Sequence, residues 1–162
     1  LVVLATFPGV LPFVVLDNAV TALRGSNGID GLVSTFFGIG ADKDESWIVL
    51  GDLSALYDLA APWILEQLHA ANRRIAIINN GGGQIFSRVK SLQSLDAKTR
   101  DWIINPHQHR FQAWAEMWGC GYRRVTSGSD LEDLPDGAVI IEVLPDEAQT
   151  QAFWAEWGAI RS

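Results

Sequence analysis

Trp47-Ile48-Val49-Leu50-Gly51-Asp52-Leu53-Ser54 is an apolar run of strand length that ends on a glycine and an acid. About one strand–helix–strand unit later the pattern returns as Ile75-Ala76-Ile77-Ile78-Asn79-Asn80-Gly81-Gly82-Gly83, now ending on amides and glycines. Short apolar runs with polar, glycine-bearing ends read as buried strands. In open α/β sheets, ligands sit beyond the carboxyl ends of such strands. An acid and an amide placed there can converge on one divalent cation and the diphosphate it carries. Mg²⁺ takes hard oxygen ligands, only one or two of them from protein, with phosphate and water completing an octahedron. Asp52 offers a carboxylate, Asn80 a side-chain carbonyl, and the glycines a main-chain carbonyl that no side chain obstructs. Each run taken singly also reads as a turn after a strand, and it is their pairing at this spacing that points to a site.

Outward from these runs, strands and helices alternate. Strands are expected at 13–16, 46–50, 74–78, 122–125 and 138–143. Helices are expected at 31–40, opened by Asp30, and at 56–71, with Pro62 near the start or at a kink. Further helices are expected at 111–118 and 147–157. Residues 84–108 are polar and mixed, with no clear period. The alternation predicts an α/β fold with a doubly wound, mostly parallel sheet and helices on both faces. No repeat, low-complexity tract or linker interrupts the chain, so 1–162 reads as a single domain.

Composition excludes several classes. The chain has 162 residues, 48% hydrophobic and 19% charged, with a formal net charge of −7. That charge argues against a nucleic-acid partner, because phosphate backbones recruit clustered Lys and Arg. The basic doublets Arg73-Arg74 and Arg123-Arg124 fall at strand starts. No apolar run reaches the length of a membrane span. The apolar opening, residues 1–16, is broken by Pro8, Gly9 and Pro12 and has no basic head, so it reads as core and not as a signal peptide. The single Cys120 allows no internal disulfide and fits a reducing, cytoplasmic setting. Between two glycines after an aromatic helix, it reads as structural and not as a nucleophile.

Other eye-catching residues read as structure. Trp114/Trp118 and Trp154/Trp157, four and three apart, are expected to pack helices onto the sheet or against a partner. His107-Gln108-His109 suggests a metal pair, but with no third ligand in view it reads as loop. No Lys-Ser/Thr follows the glycines at 81–83, and Gly38-Ile39-Gly40 ends a helix and does not follow a strand, so neither common phosphate-loop template is met.

The finer text is more specific. Arg24-Gly25-Ser26-Asn27-Gly28-Ile29-Asp30-Gly31 with Ser34-Thr35 comes first, followed by Gly51-Asp52-Leu53-Ser54 with Tyr57-Asp58-Leu59. Asn79-Asn80-Gly81-Gly82-Gly83-Gln84-Ile85-Phe86 comes third, and residues 106–111 and the helix after them follow. This ordered series resembles the thiamine-diphosphate enzymes, and within them the 2-succinyl-5-enolpyruvyl-6-hydroxy-3-cyclohexene-1-carboxylate synthase family of menaquinone biosynthesis. The resemblance runs from Arg24 to Val143 and covers the family's diphosphate-binding domain.

The resemblance implies roles residue by residue. Asp52, Asn80 and the carbonyl of Gly82 match the Mg²⁺ ligands. Gly51, Leu53, Ser54 and Gly83 belong to the runs that bind the thiamine diphosphate. Ile85 and Phe86 match the pair beside the cofactor and the substrate. Arg24 matches an arginine for a substrate carboxylate, a task suited to a planar guanidinium. The reaction implied is decarboxylation of 2-oxoglutarate and addition of the resulting carbanion to isochorismate, with the cofactor as electron sink. No catalytic acid or base is expected in this chain, because the glutamate that activates the cofactor lies on a pyrimidine-binding domain. That domain and the family's middle domain do not fit into 162 residues. The chain is therefore expected to be the diphosphate half alone, a fragment or one subunit of a split enzyme, in a homo-oligomer. Ala60, where the family commonly has Asn, and the lack of an Asn-Ser-x-Pro-x-Arg pattern in residues 1–18 depart from the family. They leave two alternatives open: a non-catalytic remnant that serves as an interaction module, or another thiamine-dependent decarboxylase or lyase.

Overall fold

The computed structural model describes residues 31–160, with the side chains of Ile85, Arg88 and Lys90 outside the description. The expected strand at 13–16, the helix opener Asp30 and the substrate arginine Arg24 all fall outside it as well. Among the described residues four strands form one all-parallel sheet: β1 (Glu45–Gly51), β2 (Asn72–Ile78), β3 (Gly121–Val125) and β4 (Ala138–Val143), in the order β1-β2-β4-β3. β2 and β4 are central and buried over nearly their whole length, β2 with Arg73 and Arg74 near its start and β4 with Glu142 near its end among otherwise apolar residues. β1 lies at an edge of this sheet and alternates, with Ser46, Ile48 and Leu50 turned inward.

Helices cover the two faces unequally. Ile48, Leu50, Ile75, Ile77 and Ile140 on one face meet Leu32, Val33, Phe36 and Phe37 of α1 (Leu32–Ile39), Ala55 of α2 (Asp52–Tyr57), and Trp114 and Ala115 of α4 (Gln112–Met117). The other face is a smaller cluster, Ala76, Val125, Val139 and Ile141, with Trp47, Val49, Leu131 and Leu134 against it. Trp114 and Trp118 do pack as their spacing predicts, and both indole N–H groups donate to the carbonyl of Leu59, at 2.7 and 3.0 Å.

The helix expected at 56–71 is corrected. α2 begins at Asp52, directly after β1, and stops at Tyr57, and a 3₁₀ helix then runs over Ala61–Gln67 with Pro62 in its first turn. Proline has no N–H to give the carbonyl four residues back and its ring collides there, so an α-helix cannot pass through position 62. In the stretch left without a period, 3₁₀ turns at Gln84–Arg88 and Lys90–Leu92 precede α3 (Ala97–Ile104). α3 buries none of its residues, which is why no hydrophobic period marks it. Its start is set locally, with the Asp96 side chain accepting from Thr99 N and Thr99 Oγ1. The last helix, α5, spans Glu147–Ile160.

Candidate functional site

β1 and β2 end level with each other, Gly51 pairing with Ile78, so Asp52 and Asn79 emerge side by side beyond the sheet's carboxyl edge. Asp52 is 3% exposed. Its Oδ2 accepts from the N–H groups of Gly81 and Gly82, at 2.8 and 2.9 Å, and its Oδ1 from Leu53 N at 2.7 Å. A carboxylate has about four lone-pair sites. Main-chain donors thus hold Asp52 in place while Oδ1 keeps a lone pair.

The two asparagines do different work. Asn79 is buried and saturated: its amide N donates to His109 O and to Glu142 Oε1, and its Oδ1 accepts from Gly81 N. Asn80 is exposed and makes no hydrogen bond to the described residues. Of the pair, Asn80 is the one whose amide oxygen is available to a ligand.

The glycines also divide. Gly82 has φ 128, and a Cβ there would lie 2.8 Å from the carbonyl oxygens of both Ile104 and Asn105, so only glycine fits. Its carbonyl accepts from Gln84 N at 2.8 Å across a tight turn centred on Gly83, leaving one lone pair. A Cβ on Gly83 would strike the Phe86 ring, whose side chain is 40% exposed. Gly51 has ordinary extended geometry, and a Cβ there would meet no described atom within 4 Å. Neither backbone nor packing among the described residues requires a glycine at 51.

A second loop closes on the first. Gly83 N donates to Ile104 O, His107 N to Gly81 O, and the Asn79 amide to His109 O. This brings His107, read from sequence as loop, to the acid, with its Nε2 3.4 Å from Asp52 Oδ2. Behind the loops Glu142, fully buried on β4, accepts from Asn79, Phe111 N and Tyr122 Oη. Burial and the bond to Glu142 push the Tyr122 phenol up to about 12. Sequence reasoning missed both His107 and Glu142, because each meets the site only through contacts dozens of residues apart.

Ser34 and Asp58, part of the motif series, prove to be bonded to each other: Asp58 accepts from Ser34 N at 2.8 Å and from Ser34 Oγ at 2.9 Å, capping the first turn of α1. Ser54 is buried in α2 behind Asp52. Among the described residues no three His, Cys, Asp or Glu side chains group to hold a metal. A cation here would draw on one carboxylate, one amide oxygen and one main-chain carbonyl, a donor set suited to Mg²⁺ completed by phosphate and water. Those three donors, each with a lone pair to spare, fit it.

No protein-family model matches the chain. It is 42% identical over 141 residues to the 2-succinyl-5-enolpyruvyl-6-hydroxy-3-cyclohexene-1-carboxylate synthase of Bdellovibrio bacteriovorus, covering 85% of this chain and 25% of the relative. The enzyme of the same name from Akkermansia muciniphila is 38% identical over 136 residues, or 82% of this chain and 26% of the relative. Over this length the chain belongs to that synthase family. It spans about a quarter of the length of these curated relatives. Among the described residues of this synthase-family chain, no helix is long and apolar enough to cross a membrane.

Proposed function

We propose that the chain is the magnesium- and diphosphate-binding part of a thiamine-diphosphate-dependent synthase that decarboxylates 2-oxoglutarate and joins the product to isochorismate in menaquinone biosynthesis. The observation that carries this reading is the buried Asp52 at the carboxyl edge of the sheet, held by the N–H groups of Gly81 and Gly82, with the exposed Asn80 directly before Gly81 in the chain. Asp52, Asn80 and the carbonyl of Gly82 would hold the Mg²⁺. The otherwise unexplained Gly51 supports the reading, since a bare backbone there leaves room for a ligand to approach. The cofactor, when bound, supplies the electron sink for breaking and making the carbon–carbon bonds.

The chain's own share is binding, orientation and electrostatics. Asp52 and Asn80 anchor charge and do not move protons. Phe86, over Gly83, presents apolar surface beside the diphosphate site, with Ile85 next to it in sequence. Arg24 is assigned to a substrate carboxylate. The acid that activates the cofactor is assigned to a pyrimidine-binding domain, on the same polypeptide or on another subunit. The exposed Trp63, Trp102 and Met117, at 68, 72 and 73%, support association with further protein, a homo-oligomer included.

Calorimetric titration of the full natural chain with thiamine diphosphate, with and without Mg²⁺, tests the reading. Binding that requires Mg²⁺ is expected. Binding indifferent to Mg²⁺, or none in its presence, would contradict it.

A further inference from the structure

We propose that His107 is a positioning residue for Asp52: its Nε2–H fixes the orientation in which the carboxylate meets a divalent cation. The inference rests on the reading of Asp52 as a cation ligand. Both side chains are deeply buried, at 7% and 4% exposure, with His107 Nε2 3.4 Å from Asp52 Oδ2. Nε2 is sealed from solvent and has no hydrogen-bond partner among the described residues. Buried ring nitrogens are seldom left so, and an orphan of this kind asks for a reason. The other nitrogen, Nδ1, accepts from His109 N at 3.2 Å. A nitrogen that accepts carries no proton, so in the neutral ring the hydrogen sits on Nε2, the nitrogen that lies 3.4 Å from Asp52 Oδ2.

The contact is a few tenths of an ångström longer than an ordinary N–H···O bond. It is nonetheless aimed by a rigid frame. His107 N donates to Gly81 O, the neighbouring Asn105 is pressed against Gly82, and the His107 ring stacks on that of His109 with centroids 5.1 Å apart. The loop that brings the glycine N–H groups to Oδ2 is therefore tied to the loop that brings the imidazole. Oδ2 then faces three donors and Oδ1 one, and the asymmetry leaves Oδ1 as the oxygen with capacity for a cation. An imidazole nitrogen is a poor ligand for a hard cation, so His107 acts through the carboxylate and not on the metal. Hydrogen bonds behind ligating groups commonly set metal affinity by 10–100-fold.

The test measures Mg²⁺ affinity of the full natural chain by calorimetry in the presence of thiamine diphosphate, with thermal melts as a check on folding. His107→Leu is expected to weaken Mg²⁺ binding by about 10–100-fold. His107→Gln, whose amide N–H reaches the place of Nε2, is expected to recover most of the loss. Asp52→Ala, run alongside, separates the two ideas. If Asp52→Ala binds Mg²⁺ like wild type, the cation reading itself fails. If Asp52→Ala loses binding while His107→Leu keeps wild-type affinity, the role of His107 is overturned and the cation reading stands. Equal weakening by Leu and Gln also overturns it, since the hydrogen bond would then not be what matters. Should His107→Leu fail to fold, ¹⁵N NMR of the wild-type imidazole decides: a proton on Nε2 supports the proposal and a proton on Nδ1 overturns it.

Discussion

The two ends of the sheet bury charge in opposite ways. At the amino end, Arg73 and Arg74 open β2 with exposures of 2% and 4%. Arg73 donates to the carbonyls of Lys43 and Ala41 and to Ser46 Oγ, and Arg74 to the carbonyls of Pro135 and Gly137. Cations there are met by loop carbonyls and, at 3.9 Å from Arg74 Nε, by Glu45, while both Nε atoms are sealed from solvent. At the carboxyl end, Asp52 is met by N–H groups of a glycine loop that the exposed Asn80 directly precedes. A charge enclosed by its own fold is structural. A charge held in place with coordination capacity left over is available to a ligand.

Substitutions at either end test this contrast. Arg73→Ala is expected to have the largest effect on stability, roughly 2–5 kcal/mol, because a buried stem is lost and two carbonyls lose their donor. Chemical denaturation would show this, with Mg²⁺ affinity of the folded fraction unchanged; altered affinity would mean that the two ends are coupled. Next comes Gly82→Ala, where a positive φ costs about 1–3 kcal/mol before the collision with two carbonyls is counted. Here stability and Mg²⁺ affinity should fall together, since the loop that clashes is the loop that holds Asp52.

A smaller effect lies between the ends. Tyr122→Phe removes one hydrogen bond to a buried carboxylate, worth about 1 kcal/mol. The wild-type phenol titrates higher when folded than the ordinary value of 10, so its contribution is whole below pH 10 and is lost as pH rises toward about 12. Denaturation midpoints of wild type should therefore drop more steeply than those of the Phe variant across that window. Parallel slopes would disprove the linkage. The smallest effect is chemical. Burial pushes the Cys120 thiol up to about 11, so alkylation at neutral pH should be slow until the chain unfolds.

The difference between the ends was only half legible in sequence. The strand runs at 46–50, 74–78 and 138–143 were readable because buried parallel strands leave predominantly apolar text, here interrupted only by Ser46, Arg74 and Glu142. Asp52 and Asn80 were singled out because they closely follow such strands, and Gly82 through the family resemblance. Arg73 and Arg74 read only as a basic doublet at a strand start, since nothing local records the carbonyls of residues 41, 43, 135 and 137 that meet them. α3 has no buried side to give a period, although Asp96-Ala97-Lys98-Thr99 carries its capping signal. His107 was read as loop because its reason for being there lies 55 positions away.

The most direct measurement is a crystal structure of the full natural chain with thiamine diphosphate and Mn²⁺ in place of Mg²⁺, using the anomalous signal of the metal. One peak is expected, with the Asp52 carboxylate, the Asn80 amide oxygen and the Gly82 carbonyl in its coordination sphere. A bound diphosphate whose metal is coordinated elsewhere, with the Asp52 carboxylate meeting only main-chain N–H groups, would contradict this.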